Sequence, residues 1–308
     1  MMKLIDTHCH LYGKEFARDG EEVIQRAERE GVEKFYLPAV DSESREALLA
    51  LEARYPGVCI GMTGLHPTSV KADFEAELRM VEEDLGRRSW VAVGEIGLDF
   101  YWDRTFEVEQ YEAFHRQIGW AMEYDIPIVI HSRSSMAESI GVVRERQQGR
   151  GGGAARPVGA SGAGRGVEGF DGGEGGTTPG GGGGAAGGSA GRGGERLRGN
   201  GRLRGIFHCF SGDAAAAREI VDLGFYLGIG GVLTYKNSGL PDAIKDIGLE
   251  HIVLETDAPY LSPVPFRGKR NESSYLKYVA AKLAELKGVS MEEVGRITTE
   301  NAQKIFGG

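Results

Sequence analysis

Eight short runs rich in apolar and β-branched residues recur along this chain, separated by amphipathic stretches, and this alternation restricts the possible folds more than any other feature. The runs are KLIDTHCH (3–10), KFYLPAV (34–40), VCIGMTGLHP (58–67), WVAVGEIGLD (90–99), IPIVIHS (126–132), GIFHCFS (205–211), FYLGIGGV (225–232) and IVLETDAPY (252–260). Between them, segments such as EEVIQRAEREG, EAELRMVEEDLGRR and DAAAAREIVDLG carry helical spacing, and several stop at glycine or proline. Near-continuous apolar strands separated by helices imply a parallel sheet covered on its outer face. Eight of them fit a closed (β/α)8 barrel of the TIM type, which commonly takes roughly 250 residues. The 308 residues, 41% of them hydrophobic, suffice for one such domain. An open doubly wound sheet would be expected to place a glycine-rich phosphate turn after its first strand, and DTHCHLYGKEF is not one. The C-terminal SMEEVGRITTENAQKIFG offers Ser290 as an N-cap with acids in its first turn, so it reads as a closing helix.

One segment departs from this pattern. Over residues 149–203 about half the positions are glycine and large apolar side chains are almost missing. Such a stretch cannot bury enough apolar surface to offset its ordering entropy, so disorder is expected. Neither flank supplies eight strands, so the stretch reads as a low-complexity insertion within a single barrel spanning 1–308. It falls after the helix that follows strand five and before strand six, which puts its expected exit at the N-terminal face of the barrel. Arginines outnumber acids there while the rest of the chain is strongly acidic. Two readings stand: non-specific phosphate contacts, or a solvated loop kept soluble by charge, the latter favoured because no aromatic residues alternate with the arginines.

The net charge of −9 argues against a broad basic surface for coating nucleic acid, but is compatible with an enzyme that grips one end of a strand. No run of 18 apolar residues and no signal-peptide pattern is present, so a cytoplasmic protein without membrane contact is expected. Cys9, Cys59 and Cys209 are odd in number and lack metal-finger spacing, which predicts buried, reduced thiols. Nothing points to an obligate protein partner.

Polar residues fall at matching places in the strands. His8 and His10 stand near the end of the first, His66 of the third, Glu95 of the fourth, His131 of the fifth, His208 of the sixth and Asp257 of the eighth. In a closed parallel barrel these ends share one face, so the residues converge. Residues i and i+2 of a strand point the same way, so His8 and His10 should face the mouth while Thr7 and Cys9 face away. Two imidazoles with carboxylates from other strands suit a catalytic divalent site, and His131, His208 and a shared Glu95 supply ligands for a second ion. Histidine-rich ligation suits zinc, manganese, nickel or cobalt while magnesium prefers oxygen, and the donor set does not distinguish magnesium, manganese and zinc as the working ion. His115 and His251 lie in a helix and in a loop, where surface or supporting roles are expected.

The motifs DTHCHL, GLHP, GEIGLDFYWD, IVIHSR, IFHCFSG and ETDAPYLSPVPFRGKRN resemble, in order, those of the TatD family of metal-dependent deoxyribonucleases in the amidohydrolase superfamily. The resemblance implies a (β/α)8 barrel, two divalent metal ions and hydrolysis of phosphodiester bonds in DNA, often as a 3′→5′ exonuclease, with RNA as a further possible substrate. It implies that His8, His10 and Asp257 hold one ion, that His131 and His208 hold the other, and that Glu95 bridges them. Asp257 would also orient or deprotonate the attacking water, and His66 would contact the scissile phosphate or the leaving oxygen. Arg133 is either a phosphate clamp or part of a surface ion pair. Arg267, Lys269 and Arg270 either meet flanking phosphates or form a solvated loop.

Tyr12 stands where many relatives carry an acid, and RNESSY lacks a proline common after RNE, departures that bear on substrate preference more than on metal binding. Two other function classes fit parts of the sequence: a metal-dependent hydrolase of C–N or C–O bonds in small molecules, and a non-catalytic binding barrel. Glu95, where dinuclear hydrolases of that first class often carry a modified lysine, favours the nuclease; the intact ligand positions speak against the second.

Overall fold

A computed structural model describes residues 2–149 and 203–307. The tract predicted over residues 149–203, with its expected disorder, therefore lies outside the described residues except for Gly149 and Leu203 at its ends. Strands and helices alternate as β1 (Leu4–Asp6), α1 (Gly20–Arg29), β2 (Val32–Leu37), α2 (Ser42–Arg54), β3 (Cys59–Gly61), α3 (Phe74–Arg87), β4 (Val93–Asp99), α4 (Glu107–Tyr124), β5 (Ile128–Arg133), α5 (Met136–Gln147), β6 (Gly205–Phe207), α6 (Ala214–Asp222), β7 (Tyr226–Ile229), α7 (Leu240–Ile244) and β8 (Ile252–Leu254), followed by α8 (Leu276–Lys287) and α9 (Met291–Phe306). Among the described residues no helix is long and apolar enough to cross a membrane.

All strand pairs are parallel, in two continuous ladders, β1-β2-β3 and β4-β5-β6-β7-β8. Single bridges close the two seams into the expected (β/α)8 barrel. Thr63 pairs with Val93 across one, and its carbonyl accepts from the Gly94 N–H at 2.9 Å. At the other, the Thr7 N–H donates to the Leu254 carbonyl at 3.1 Å and Cys9 pairs with Ala258.

The two-residue alternation divides the strand side chains. Leu4, Phe35, Leu37, Ile128, Ile130, Phe207 and Leu227 pack in the large core that includes the helices. Ile5, Tyr36, Met62, Val129, Ile206 and Val253 pack instead with Ala302, Ile305 and Phe306 of α9, which fill the barrel interior from below. The rings of Tyr36 and Phe306 stack at 4.1 Å between centroids. Ser290 caps α9 by accepting from the Glu293 N–H at 3.1 Å, so the closing helix starts where the sequence indicates. Asn301 secures the helix to the strand bottoms by donating to the carbonyls of Leu249 and Ile252, both at 2.8 Å.

The ladders are shorter than the apolar runs. β1 ends at Asp6 and β8 at Leu254, and the chain bends at Thr7 and His8. Ile5 points into the barrel, so unbroken alternation would have turned His8 outward; the bend resets the pattern. Beyond it the chain is extended again, with the Cys9 N–H on the Tyr36 carbonyl at 3.1 Å and the His10 N–H on the Ala258 carbonyl at 2.7 Å. Cys209 and Asp257 have φ of 46° and 56°, a left-handed backbone that carries the chain out of the strand direction just past β6 and β8. Just past the glycine-rich tract, Arg204 donates to the Asp125 carboxylate at 2.8 Å.

Candidate metal centre

Every candidate ligand reaches one pocket above the α9 floor. His131 follows the inward-facing Val129 by two positions on β5, and His208 follows Ile206 by two, so the alternation that builds the floor also aims both imidazoles inward. Glu95 arrives differently. The β4 to β5 register shifts between Gly94 and Ile96, which lets Gly94 and Glu95 both face the interior. A side chain at Gly94 would lie 2.8 Å from Cβ of Val129, so glycine is needed beneath the carboxylate. His8, His10, His66 and Asp257 come from the loops just beyond β1, β3 and β8.

The two oxygens of Glu95 face different partners. Oε2 lies 3.1 Å from His8 Nε2 and 3.8 Å from His10 Nε2, while Oε1 lies 2.8 Å from His131 Nδ1, 3.4 Å from His66 Nε2 and 3.5 Å from His208 Nε2. Asp257 Oδ1 is 3.8 Å from His8 Nε2 and 3.7 Å from His10 Nε2. Donors bound to one cation at about 2.0–2.2 Å sit roughly 3–4 Å from one another. Three sets of donor atoms here lie within 4.8 Å of one another: His8, His10 and Asp257; His66, Glu95 and His131; and His8, Glu95 and His208, so His208 falls with His8 and not with His131. A further observation fits a cation: His8 is wholly buried and neither of its ring nitrogens has a hydrogen-bond partner. An unpaired buried polar group costs about 1–3 kcal/mol, a cost that metal ligation would remove.

Neighbouring groups decide which nitrogen each imidazole presents. The Tyr12 hydroxyl donates to the Pro38 carbonyl at 2.6 Å, so at 2.9 Å its oxygen accepts from His10 Nδ1 and leaves the Nε2 lone pair directed at Glu95 and Asp257. Asp99 Oδ2 lies 2.9 Å from His131 Nε2, which turns Nδ1 toward Glu95. Glu255 Oε1 lies 3.0 Å from His208 Nδ1 and turns Nε2 inward. His66 is set the other way: its Nδ1 accepts from the Thr68 N–H at 3.1 Å, so the neutral ring carries its proton on Nε2, facing the pocket. His10 thus presents a lone pair, His131 and His208 each turn one nitrogen toward Glu95, and His66 presents a donor.

Electrostatics fit this division for His8 and His10 but not for His131 and His208. Burial lowers both of the latter, yet Asp99 and Glu95 outweigh it to raise His131, and Glu255 and Glu95 outweigh it to raise His208 to about 10, so an ion bound through Nε2 of His208 would have to displace a proton. Burial, together with His208, pushes His8 well below its usual range, and burial lowers His10 to about 4, so both are neutral and able to ligate. Burial favours protonation of Glu95, but His66, His8 and His208 outweigh it and hold the carboxyl well below the ordinary range. Burial raises Asp257 to about 7, the range of a group that takes up and gives back a proton near neutral pH.

The basic candidates are dispersed. Arg133, at the end of β5, is exposed and lies over Tyr101 at 4.0 Å and Trp102 at 5.0 Å, with no carboxylate partner among the described residues. The surface ion pair considered for it is thus not formed among the described residues. Arg267 lies over the Tyr235 ring at 4.2 Å and Lys269 over Phe266 at 5.9 Å. Arg270 is committed to Asp19 through two bonds of 2.8 and 2.6 Å, so the structure shows an ion pair there and not a free phosphate contact. His251 is partly exposed, 3.8 Å from Glu250, and His115 in α4 meets Arg146, both remote from the pocket.

Sequence reasoning missed Tyr12, Thr68, Asp99 and Glu255. Glu255 and Asp99 were accessible in part, since Glu255 stands two positions before Asp257 and Asp99 four after Glu95 in strands otherwise apolar. Tyr12, which in the sequence bears on substrate preference, instead orients the His10 imidazole, which no local pattern signals.

The sequence matches the TatD related DNase family over residues 5–169 and 185–307. It is 34% identical to the uncharacterized metal-dependent hydrolase YabD of Bacillus subtilis, over 98% of each chain. It is 31% identical to the uncharacterized metal-dependent hydrolase TatD of Mycobacterium tuberculosis, over 99% of this chain and 98% of the relative. Among solved structures, the TatD homolog YjjV of Escherichia coli superimposes with a TM-score of 0.77 at 27% identity, covering 98% of this chain and 97% of its own. On these grounds the chain is a metal-dependent hydrolase, and it belongs to the TatD related DNase family.

Proposed function

We propose that this hydrolase cleaves phosphodiester bonds in DNA, releasing nucleotides from a 3′ end, with two divalent ions in the pocket. The observation that carries the reading is the division of Glu95: Oε2 faces His8 and His10, and Oε1 faces His131 and His208. His8, His10 and Asp257 would hold one ion, His131 through Nδ1 and His208 through Nε2 the other, and Glu95 would join them. When bound, the ions lower the pKa of water and offset charge that develops on phosphoryl oxygens.

The chain's own groups do the rest. Asp257, whose carboxylate lies beside His8 and His10, accepts the proton of the attacking water. His66 carries its proton on Nε2 and offers it as a hydrogen bond to the leaving oxygen, with Thr68 holding the ring. The exposed guanidinium of Arg133 binds a phosphate flanking the scissile bond. The family's name supports DNA as substrate, whereas the curated relatives' names support only metal-dependent hydrolysis. Three unpaired cysteines support a cytoplasmic setting.

The test is metal-stripped protein assayed on 3′-labelled single- and double-stranded DNA, on RNA and on a panel of small esters and amides, with magnesium, manganese or zinc restored. Nucleotide release that returns with metal is expected, and Glu95→Ala should abolish it. Hydrolysis of an amide or ester without nucleotide release under any metal overturns the nuclease reading.

A further inference from the structure

Two large aromatic side chains stand in solvent beside the pocket. Tyr101 is 56% and Trp102 69% exposed, in the loop between β4 and α4. Core packing does not account for them, and exposed aromatic surface of this size is costly unless something covers it. Their arrangement is ordered: the rings meet edge to face at 4.9 Å, and the Arg133 guanidinium lies over both. The loop that carries them is tied to the pocket by one carboxylate. Asp99 Oδ1 accepts from the backbone N–H of Tyr101 at 3.0 Å and of Trp102 at 3.3 Å, while its Oδ2 lies 2.9 Å from His131 Nε2.

We propose that Tyr101, Trp102 and Arg133 form a platform on which an unpaired nucleobase stacks, next to the phosphodiester bond held in the pocket; this rests on the phosphodiesterase reading above. Every base has a flat π-face, so an aromatic surface binds bases with little regard to sequence. The guanidinium adds a charge that meets the accompanying phosphate while its plane packs on the rings. Bases inside a duplex are stacked on their neighbours, so the platform selects a single-stranded or frayed end. A protein partner would equally cover apolar surface, but the shared tie through Asp99 places the platform against the catalytic cluster, where the substrate itself must lie.

The test is binding of the full, metal-loaded chain to a fluorescent single-stranded oligothymidylate whose 3′-terminal linkages are phosphorothioates, so that the strand is bound and resists cleavage. A second oligonucleotide has the same phosphates and lacks the terminal bases, and a third is a blunt duplex. Wild-type protein should favour the base-bearing strand over the abasic one by about tenfold in Kd, equivalent to about 1.4 kcal/mol. Trp102→Ala should erase that preference and Trp102→Phe retain most of it. Arg133→Gln should weaken both single strands alike and reduce the salt dependence of binding. Equal affinity of wild-type protein for base-bearing and abasic strands, or a blunt duplex bound as tightly as a single strand, overturns the platform. Failure of the phosphodiesterase reading is separable, because it appears as intact ordinary oligonucleotide under every metal whatever the binding preference.

Discussion

Replacement of Asp99 by asparagine tests whether His131 is a ligand held in one tautomer. Burial alone would favour the neutral acid, but the bonds to His131 and to the amides of Tyr101 and Trp102 outweigh it and keep Asp99 below the ordinary range. An ionised carboxylate only accepts, so at 2.9 Å it keeps a proton on His131 Nε2; Glu95, also ionised, lies 2.8 Å from Nδ1 and helps to raise the imidazole, and a bound ion would replace the proton at Nδ1. Asparagine preserves the volume, and its amide can still accept from the Tyr101 N–H. It removes the charge and allows the amide NH2 to turn toward the ring, favouring the wrong tautomer. Loss of such a supporting partner costs about 10- to 100-fold in metal affinity or activity, roughly 1.4–2.8 kcal/mol. The assay is titration of metal-stripped protein with zinc or manganese in competition with a chromogenic chelator, beside circular dichroism to confirm folding. One binding step should weaken by this factor and the other, assigned to His8, His10 and Asp257, should hold. If neither step moves, His131 is not a ligand through Nδ1; if both weaken equally, the two groupings are not separate sites.

Metal removal should also be visible in stability: an ion at about 100 times its Kd adds about 2.7 kcal/mol, which in a chain of this size raises Tm by about 4–5 °C. Differential scanning calorimetry with and without chelator measures it, and an unchanged Tm would mean that the folded pocket holds no ion. Phe306→Ala should lower unfolding free energy by about 3–5 kcal/mol, because the ring is 8% exposed and stacks on Tyr36 in the barrel floor. A urea midpoint close to wild type would show that α9 does not support the interior. Replacing residues 150–202 by a short linker should leave turnover within about tenfold, roughly 1.4 kcal/mol of barrier. The flanks already meet, with Gln147 Nε2 donating to the Leu203 carbonyl at 3.1 Å at the opposite end of β6 from His208. A larger loss in a folded variant would place the tract in the chemistry, and a loss confined to low-salt binding would show that its arginines contact phosphate.

The barrel was legible because its strands are buried on both faces and therefore read as apolar runs, and because the histidines and acids interrupt those runs where the interior opens. His131 and His208 could be oriented from spacing alone, each two residues past an inward apolar side chain. Glu95 could not, since its inward turn depends on the shifted register against β5, which is set by the neighbouring strand. His8 and His10 were assigned to one side through an unbroken strand, yet the side they occupy is decided by the bend at Thr7 and His8. The supporting residues were harder for the same reason: Tyr12 matters only because the Pro38 carbonyl takes its proton.

Charge was the least informative signal on the surface and among the most informative inside. Arg270 and Arg133 are alike in sequence as basic residues near ligand motifs, but Arg270 finds Asp19 and Arg133 finds two aromatic rings. On an exposed loop either outcome costs little, so composition does not choose between them. In the interior an unpaired charge costs several kcal/mol, so an inward carboxylate above an apolar floor implies partners. By that argument Glu255 was derivable: it is wholly buried, two residues from Asp257 and two past the inward Val253, and it had to meet a donor. The Cys209 N–H is that donor, at 2.5 Å from Oε1, and His208 Nδ1 lies 3.0 Å from the same oxygen, so its Nε2 is turned inward.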